Sequence, residues 1–373
     1  MSVAISPGEV APLEANAPAR EKLMLLLIFL LGGILRLIGA NNEFWYDEIV
    51  TIQLYVRKPL HQALTTYIAN NHVLNSILAH LAASLHPTQP EQPWLIRLPA
   101  ILFGIFTVPA FYYLVRQLWP GRIALLGTLL LAVSYPHVYY TQQARGYSAF
   151  IFFAVMACGL LLRMESAGAS RGASWRGAAY ALCIALGAYA QLLMVFVIAG
   201  QGMAFLLRQR WRALAWLAAG CALAGVLYLP MLAAVREYYA THKHDTGVPF
   251  FSRAFVGELK PVLPMLILGL IFGPLVLWRM WKRNALAALV LLVPLALNII
   301  IPAARGEGVH PRSLIYALPI AYLFVMEAID WTGRRLRWAP VAITLLLAAL
   351  NLVVLAMYYP LPKQGFQAAL RYV

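Results

Sequence analysis

The segment Asn41-Asn42-Glu43-Phe44-Trp45-Tyr46-Asp47-Glu48 places three carboxylates and two amphipathic rings directly after the first long apolar run of the chain. The whole sequence holds only 14 Asp and Glu, so this is a concentrated deposit of acid. A carboxylate at a bilayer centre costs about 2.5–3.5 kcal/mol on insertion scales, which puts the cluster at or above an interface, facing water or a site. Asp47 and Glu48 are neighbours, and on a helix neighbouring side chains diverge by about 100°, so the two do not converge on one atom. A carboxylate here can accept a proton, offer oxygen to a hard cation, or cap the helix that follows.

Cations with matching chemistry occur later in the chain. Arg145 follows Tyr139, Tyr140, Gln142 and Gln143 in a polar interruption between apolar runs, and a guanidinium fork grips a phosphate at two points where an ammonium cannot. Its alternative use is to snorkel toward lipid headgroups. Arg312 follows Pro311 at the start of an apolar run, where helix-start N–H groups also favour an anion. Asn70-Asn71-His72 offers amides and an imidazole to hydroxyl groups. The compact group His242, Lys243, His244 and Asp245 can line a cleft or ligate a metal, although its spacing fits no standard zinc site.

The elements that carry these residues follow from composition. Of 373 residues, 62% are hydrophobic and 12% charged, far more apolar than a water-soluble domain. The expected class is all-α, a polytopic helical membrane protein of about eleven spans, at roughly 20 apolar residues each. The expected runs are 23–40, 94–115, 123–135, 147–162, 177–190, 192–207, 213–234, 261–278, 286–301, 314–328 and 340–357. Residues 1–22 form a cytoplasmic tail, 23–357 the membrane domain, and 358–373 an external tail. External loops are expected near 41–93, 136–146, 235–260 and 302–313, with 73–85 as a surface helix in the first and 163–176 as a flexible basic linker on the other side.

More than half of the 29 Lys and Arg cluster at the ends of apolar runs on one face, while more than half of the 14 acids fall on the other. That asymmetry orients the chain with its N-terminus in the cytoplasm and accounts for the net charge of +15 without nucleic acid. Cys158, Cys183 and Cys221 lie inside apolar runs and are read as packing residues. The run ending at Gly39-Ala40 is read as an uncleaved first helix.

Leu35-Arg36, Trp45-Tyr46-Asp47-Glu48, Asn70-Asn71-His72, Leu95-Ile96-Arg97-Leu98-Pro99, Gln142-Gln143-Ala144-Arg145-Gly146-Tyr147-Ser148 and His310-Pro311-Arg312-Ser313-Leu314 occur in one order. In that order they resemble the polyprenyl-phosphate-dependent membrane glycosyltransferases of the GT-C fold, which include protein O-mannosyltransferases and the lipid A aminoarabinose and galacturonic acid transferases. The resemblance implies transfer of a sugar, with inversion, from a polyprenyl-phosphate donor to a lipid, glycan or protein acceptor on the extracytoplasmic (periplasmic) face of the cell membrane. It implies Asp47 as base with Glu48 beside it, Arg145 and Arg312 on the donor phosphate, and Asn71, His72, Tyr147, His244 and Asp245 positioning substrate.

Many relatives carry Glu where this chain has Gln143, so dependence on a divalent cation (Mg or Mn), which would sit on Asp47 and Glu48, is left open. The segment 362–367 is similar to the lead-in to a soluble domain that many relatives append. Two other classes compete. A transporter or flippase for a lipid-linked or anionic substrate would use the same arginines without bond-making, and a non-catalytic scaffold would keep the fold alone.

Overall fold

A computed structural model describes residues 18–68, 71–89, 91–166, 172–241, 252, 263–305 and 311–361. Among these the chain is helical throughout, with no strand. The first helix, α1 (Ala19–Leu37), ends where Gly39 adopts φ +78°, a left-handed turn that a side chain would strain. Short helices α2 (Tyr46–Thr51, continuing as a π-turn over Ile52–Val56), α3 (Leu60–Thr65) and α4 (Val73–Ser84) follow. Helix α4 coincides with the helix expected over 73–85, and it buries Val73, Ala79, Ala82 and Ala83.

Then come α5 (Pro93–Val115), α6 (Gly121–Ala132), α7 (Tyr135–Thr141), α8 (Tyr147–Ser166), α9 (Gly172–Ala190) and α10 (Met194–Leu207). They are followed by α11 (Trp211–Tyr228), α12 (Leu232–Thr241), α13 (Leu263–Arg283), α14 (Ala285–Ala304), α15 (Ala317–Gly333) and α16 (Ala339–Tyr358). Each of the eleven expected runs coincides with a helix, but the count of eleven spans is not met by length and composition. Among the described residues five helices are long and apolar enough, namely Pro93–Val115, Tyr147–Ser166, Trp211–Thr241, Ala285–Ala304 and Ala339–Tyr358, or six if the bent pair α6 and α7 is one span. Of the runs outside that set, α1 carries Arg20, Glu21, Lys22 and Arg36, and α10 is only 14 residues long. The chain is a multi-pass membrane protein.

Helix α8 is the centre of the bundle, 83% of its apolar window being buried, whereas the figure is 22% for α16 and 17% for the helix beginning at Trp211. A helix apolar all round and enclosed belongs to the core, and one apolar but exposed faces lipid. The three cysteines are free; Cys158 and Cys183 are buried. Polar interactions gather at the two ends of the bundle. At one end Glu327 is buried and takes Arg279 at 2.6 Å and Arg283 at 2.9 Å, with Asp330 completing the pair at 2.8 Å from Arg283. At the opposite end lie the C-terminus of α1, the start of α5, the α7–α8 junction and the end of α16.

Three loop expectations change. Residues 136–141, expected within the loop 136–146, belong with Tyr135 to α7, set at 55° to α6. Helix α12 continues to Thr241, inside the expected loop 235–260. The linker expected over 163–176 is helical as far as Ser166 and again from Gly172. Of the three, α7 is held by packing, burying His137, Val138 and Thr141.

Candidate active site

Glu48 is the fixed point of the site. Its carboxylate is fully buried and meets Arg97, itself 1% exposed, through Nε at 2.9 Å and Nη2 at 2.7 Å. It also accepts the backbone N–H of Trp45 at 2.8 Å, the capping-box bond of α2, and that of Ala144 at 2.7 Å. Arg97 spends its remaining donors on the carbonyls of Ala40 (2.9 Å), Asn42 (2.7 Å) and Glu43 (2.8 Å), and stacks over the Phe44 ring at 5.3 Å. One buried ion pair thus ties α5, the 40–48 turn and the 142–146 linker together.

With Glu48 turned inward, α2 presents Asp47 on its other side, 39% exposed. A single oxygen of Asp47 receives Arg145 Nη1 at 2.6 Å and Arg312 Nη1 at 3.3 Å. Residues 265 positions apart therefore meet at one atom. Arg145 is almost wholly buried and lies over the Tyr147 ring at 5.5 Å, whereas Arg312 is about half exposed. These groups border a cavity of about 360 Å³, whose wall also includes Trp45, Tyr46, Tyr139, Tyr140 and Gln143. Tyr140 and Tyr147 pack edge to face, as do Trp45 and Tyr139.

His72 sits behind this wall, its ring 5.2 Å from that of Tyr147 and its Nδ1 3.3 Å from the Ala190 carbonyl. Burial, and next the Arg145 charge, hold its imidazole well below the usual value of 6.5, so it is neutral. Gly146 makes this packing possible: a Cβ there would collide with the Ala190 carbonyl and stand 2.9 Å from His72 Nδ1. Asn71 is buried too, donating to the carbonyls of Thr66 (2.9 Å) and Ala63 (3.3 Å) and accepting from Ser76 Oγ (2.9 Å).

Asp47, Arg145, Arg312 and Tyr147 are thus brought together. Glu48 borders them but has its oxygens committed, and Asn71 and His72 form the layer behind. His244 and Asp245 lie outside the described residues, as does Asn70. Arg97 was in the motif without an assigned role. The signal that finds it is an arginine in the second turn of an otherwise apolar helix, where an isolated charge is expensive.

Residues 82–242 match the profile of the dolichyl-phosphate-mannose-protein mannosyltransferase family. In structure the chain is similar to ArnT from Cupriavidus metallidurans in the apo state, with TM-score 0.65 and 14% identity, over 93% of this chain and 67% of that one. The chain has the GT-C fold. A second ArnT structure, bound to undecaprenyl phosphate, gives TM-score 0.62 at 14% identity over 94% of this chain and 67% of that one. The Archaeoglobus fulgidus oligosaccharyltransferase in complex with Zn and sulfate gives 0.61 at 16% identity, over 94% of this chain and 55% of the other. No curated protein matches the chain by sequence.

A divalent cation fits the described GT-C site poorly. Among the described residues no three His, Cys, Asp or Glu side chains stand close enough to share an ion. Glu48 is saturated by Arg97 and two amides, and one oxygen of Asp47 already carries two guanidinium contacts.

Proposed function

We propose that this chain is an inverting glycosyltransferase that moves a sugar from a polyprenyl-phosphate donor to an acceptor hydroxyl on the extracytoplasmic face of the membrane, with its N-terminus in the cytoplasm. The observation that carries this reading is the convergence of a part-exposed carboxylate, Asp47, with Arg145 and Arg312 on one wall of an aromatic-lined cavity. The family profile and the undecaprenyl phosphate held by a protein of the same fold agree with it.

The donor phosphate enters the cavity and takes over guanidinium donors that rest on Asp47 in its absence. Two charge-assisted contacts then stabilise the negative charge that builds on the leaving phosphate as the anomeric C–O bond breaks. The acceptor oxygen attacks from the opposite side, and its proton passes to the Asp47 carboxylate. The products are the glycosylated acceptor and a polyprenyl phosphate, which leaves as an anion and needs no second acid. Positive charge at the phosphate comes from arginine in this scheme, and no step is routed through a metal. Glu48 holds Asp47 in place. His72 and Asn71 shape the wall behind Tyr147 and the first loop, while His244 and Asp245 remain candidates for substrate positioning. The acceptor class (lipid, glycan or protein) is for the assay to identify.

The test is Asp47→Asn in purified protein, assayed with labelled polyprenyl-phosphate sugar and a panel of acceptors. Loss of a general base costs about 10²–10⁴-fold in rate, while binding of polyprenyl phosphate alone should persist because both arginines remain. An Asn variant that transfers sugar at near the wild-type rate refutes the assignment.

A further inference from the structure

The break between α6 and α7 has a local cause and an unusual filling. Pro136 has no N–H to donate to the carbonyl four residues back, and its ring obstructs that carbonyl, so the helix stops and Ala132 loses its helical partner. The chain restarts at a new angle of 55°, with Ser134 Oγ accepting from the N–H of His137 as the new N-cap.

The abandoned carbonyl is taken by Arg36 from α1. Its Nη1 donates to Ala132 O at 2.9 Å and to Gly32 O at 2.6 Å, while Nη2 lies 2.5 Å from Nδ1 of His137. One guanidinium therefore spans the break, bonded to the last residue of α6 on one side and to α7 on the other. Arg36 and His137 are both fully buried, and among the described residues no carboxylate pairs with Arg36. A guanidinium only donates, so His137 Nδ1 accepts and the ring is the neutral Nε2–H tautomer. The cation is stabilised instead by carbonyl dipoles, including the C-terminal end of α6. A second tie runs the other way: Gln142, just past α7, donates to the carbonyls of Arg36 (3.1 Å) and Leu35 (3.4 Å).

We infer that Arg36 is a positioning residue for the proposed transfer: its guanidinium fills the proline break and sets the direction of α7, and so fixes where Tyr139, Tyr140 and Arg145 stand on the donor cavity. Helix α7 is only seven residues long, so its direction is set by what holds its two ends. At the first end Arg36 acts beside the Ser134 cap and the bond from Tyr135 N–H to Asn351 Oδ1 (3.0 Å), and Gln142 holds the second. Lysine at this position would keep the charge but has one donor centre, which cannot reach both sides of the break with the planar fork's geometry. The inference rests on the reading of the site given above only through the donor.

The experiment uses the full chain in detergent or nanodiscs and compares wild type with Arg36→Lys, His137→Leu and His137→Asn. Asn keeps an acceptor near the Nδ1 position and Leu removes it. Amide exchange across 133–146, binding of polyprenyl phosphate alone, and kcat and KM for the lipid-linked sugar are measured. Arg36→Lys should raise exchange over 133–146 but not over 150–162 in α8, weaken polyprenyl phosphate about tenfold, and lower kcat/KM by about 10²-fold, the scale of a 1 Å misplacement. His137→Leu should reproduce these changes and His137→Asn should largely restore wild-type behaviour, which a loss of bulk packing alone would not do. If Arg36→Lys fails to fold, the two His137 variants decide the matter. Unchanged exchange and unchanged lipid-phosphate affinity in Arg36→Lys, or in His137→Leu, would overturn the inference. A wild-type protein that transfers no sugar would overturn the proposed chemistry instead, and the exchange measurements would still decide the role of Arg36.

Discussion

Replacing Arg97 by Met removes one half of the buried pair that anchors the site. Arg97 makes two contacts to Glu48, at 2.9 and 2.7 Å, and three to the carbonyls of Ala40, Asn42 and Glu43. After the substitution the Glu48 carboxylate stays buried with only the Trp45 and Ala144 amides to balance its charge, and three carbonyls of the 40–43 turn lose a donor. Removing one partner of a buried ion pair costs about 3–5 kcal/mol. The released turn carries Asp47 at its end, so misplacement of that carboxylate should cost a further factor of about 10² in transfer rate. Unfolding in mixed micelles with increasing anionic detergent, followed by circular dichroism, measures the first quantity, and a labelled-donor assay below the transition measures the second. A cycle with Glu48→Gln separates the pair from its surroundings. The double variant should be less destabilised than the sum of the singles, by about 1–3 kcal/mol, since neither charge is then left alone. Arg97→Met within about 0.5 kcal/mol of wild type, the range of ordinary surface changes, or strict additivity in the cycle, would refute the view that this pair sets the geometry.

Arg145→Lys and Arg312→Lys should both weaken polyprenyl phosphate by calorimetric titration, each charged hydrogen bond being worth about 1.5–3 kcal/mol. The effect should be larger at Arg145, which is 5% exposed, than at Arg312, which is 47% exposed and screened by water; equal effects would argue against a buried clamp. Gly146→Ala should unfold the α7–α8 junction, read as a lower thermal midpoint and lost lipid-phosphate binding, because its Cβ has no room beside the Ala190 carbonyl. The His72 imidazole titrates lower in the folded protein than in the unfolded chain, so the unfolded state binds the extra proton first. Stability should therefore hold above about pH 6.5 and fall on acidification below it, at up to about 1.4 kcal/mol per pH unit from this group. His72→Phe should flatten that part of the stability-against-pH curve, and an unchanged slope would remove His72 as its source.

Much of this protein is legible in its sequence because a bilayer imposes simple conditions. Helices must satisfy their own backbone and present apolar side chains, so every expected run coincides with a helix. The same cost makes each charge conspicuous, which is why Asp47, Arg145 and Arg312 stand out by type and place before any fold is known. Composition cannot reveal where a charge finds its partner. Asp47 and Glu48 are adjacent and chemically similar, yet one is fully buried against Arg97 and the other faces the cavity with two arginines. That division depends on the 100° between neighbours on α2 and on what α5 and the 142–146 linker bring to each side. Arg36 is visible in the sequence as a charge at the end of the first apolar run, whereas the role of Pro136 is not. That the guanidinium of Arg36 takes the carbonyl of Ala132, 96 residues away along the chain and left without its helical partner by Pro136, is a fact of tertiary structure alone. Sequence determines which groups cannot be left unpaired in a membrane, and only the packed bundle decides which of them pair with each other and which remain turned toward a ligand.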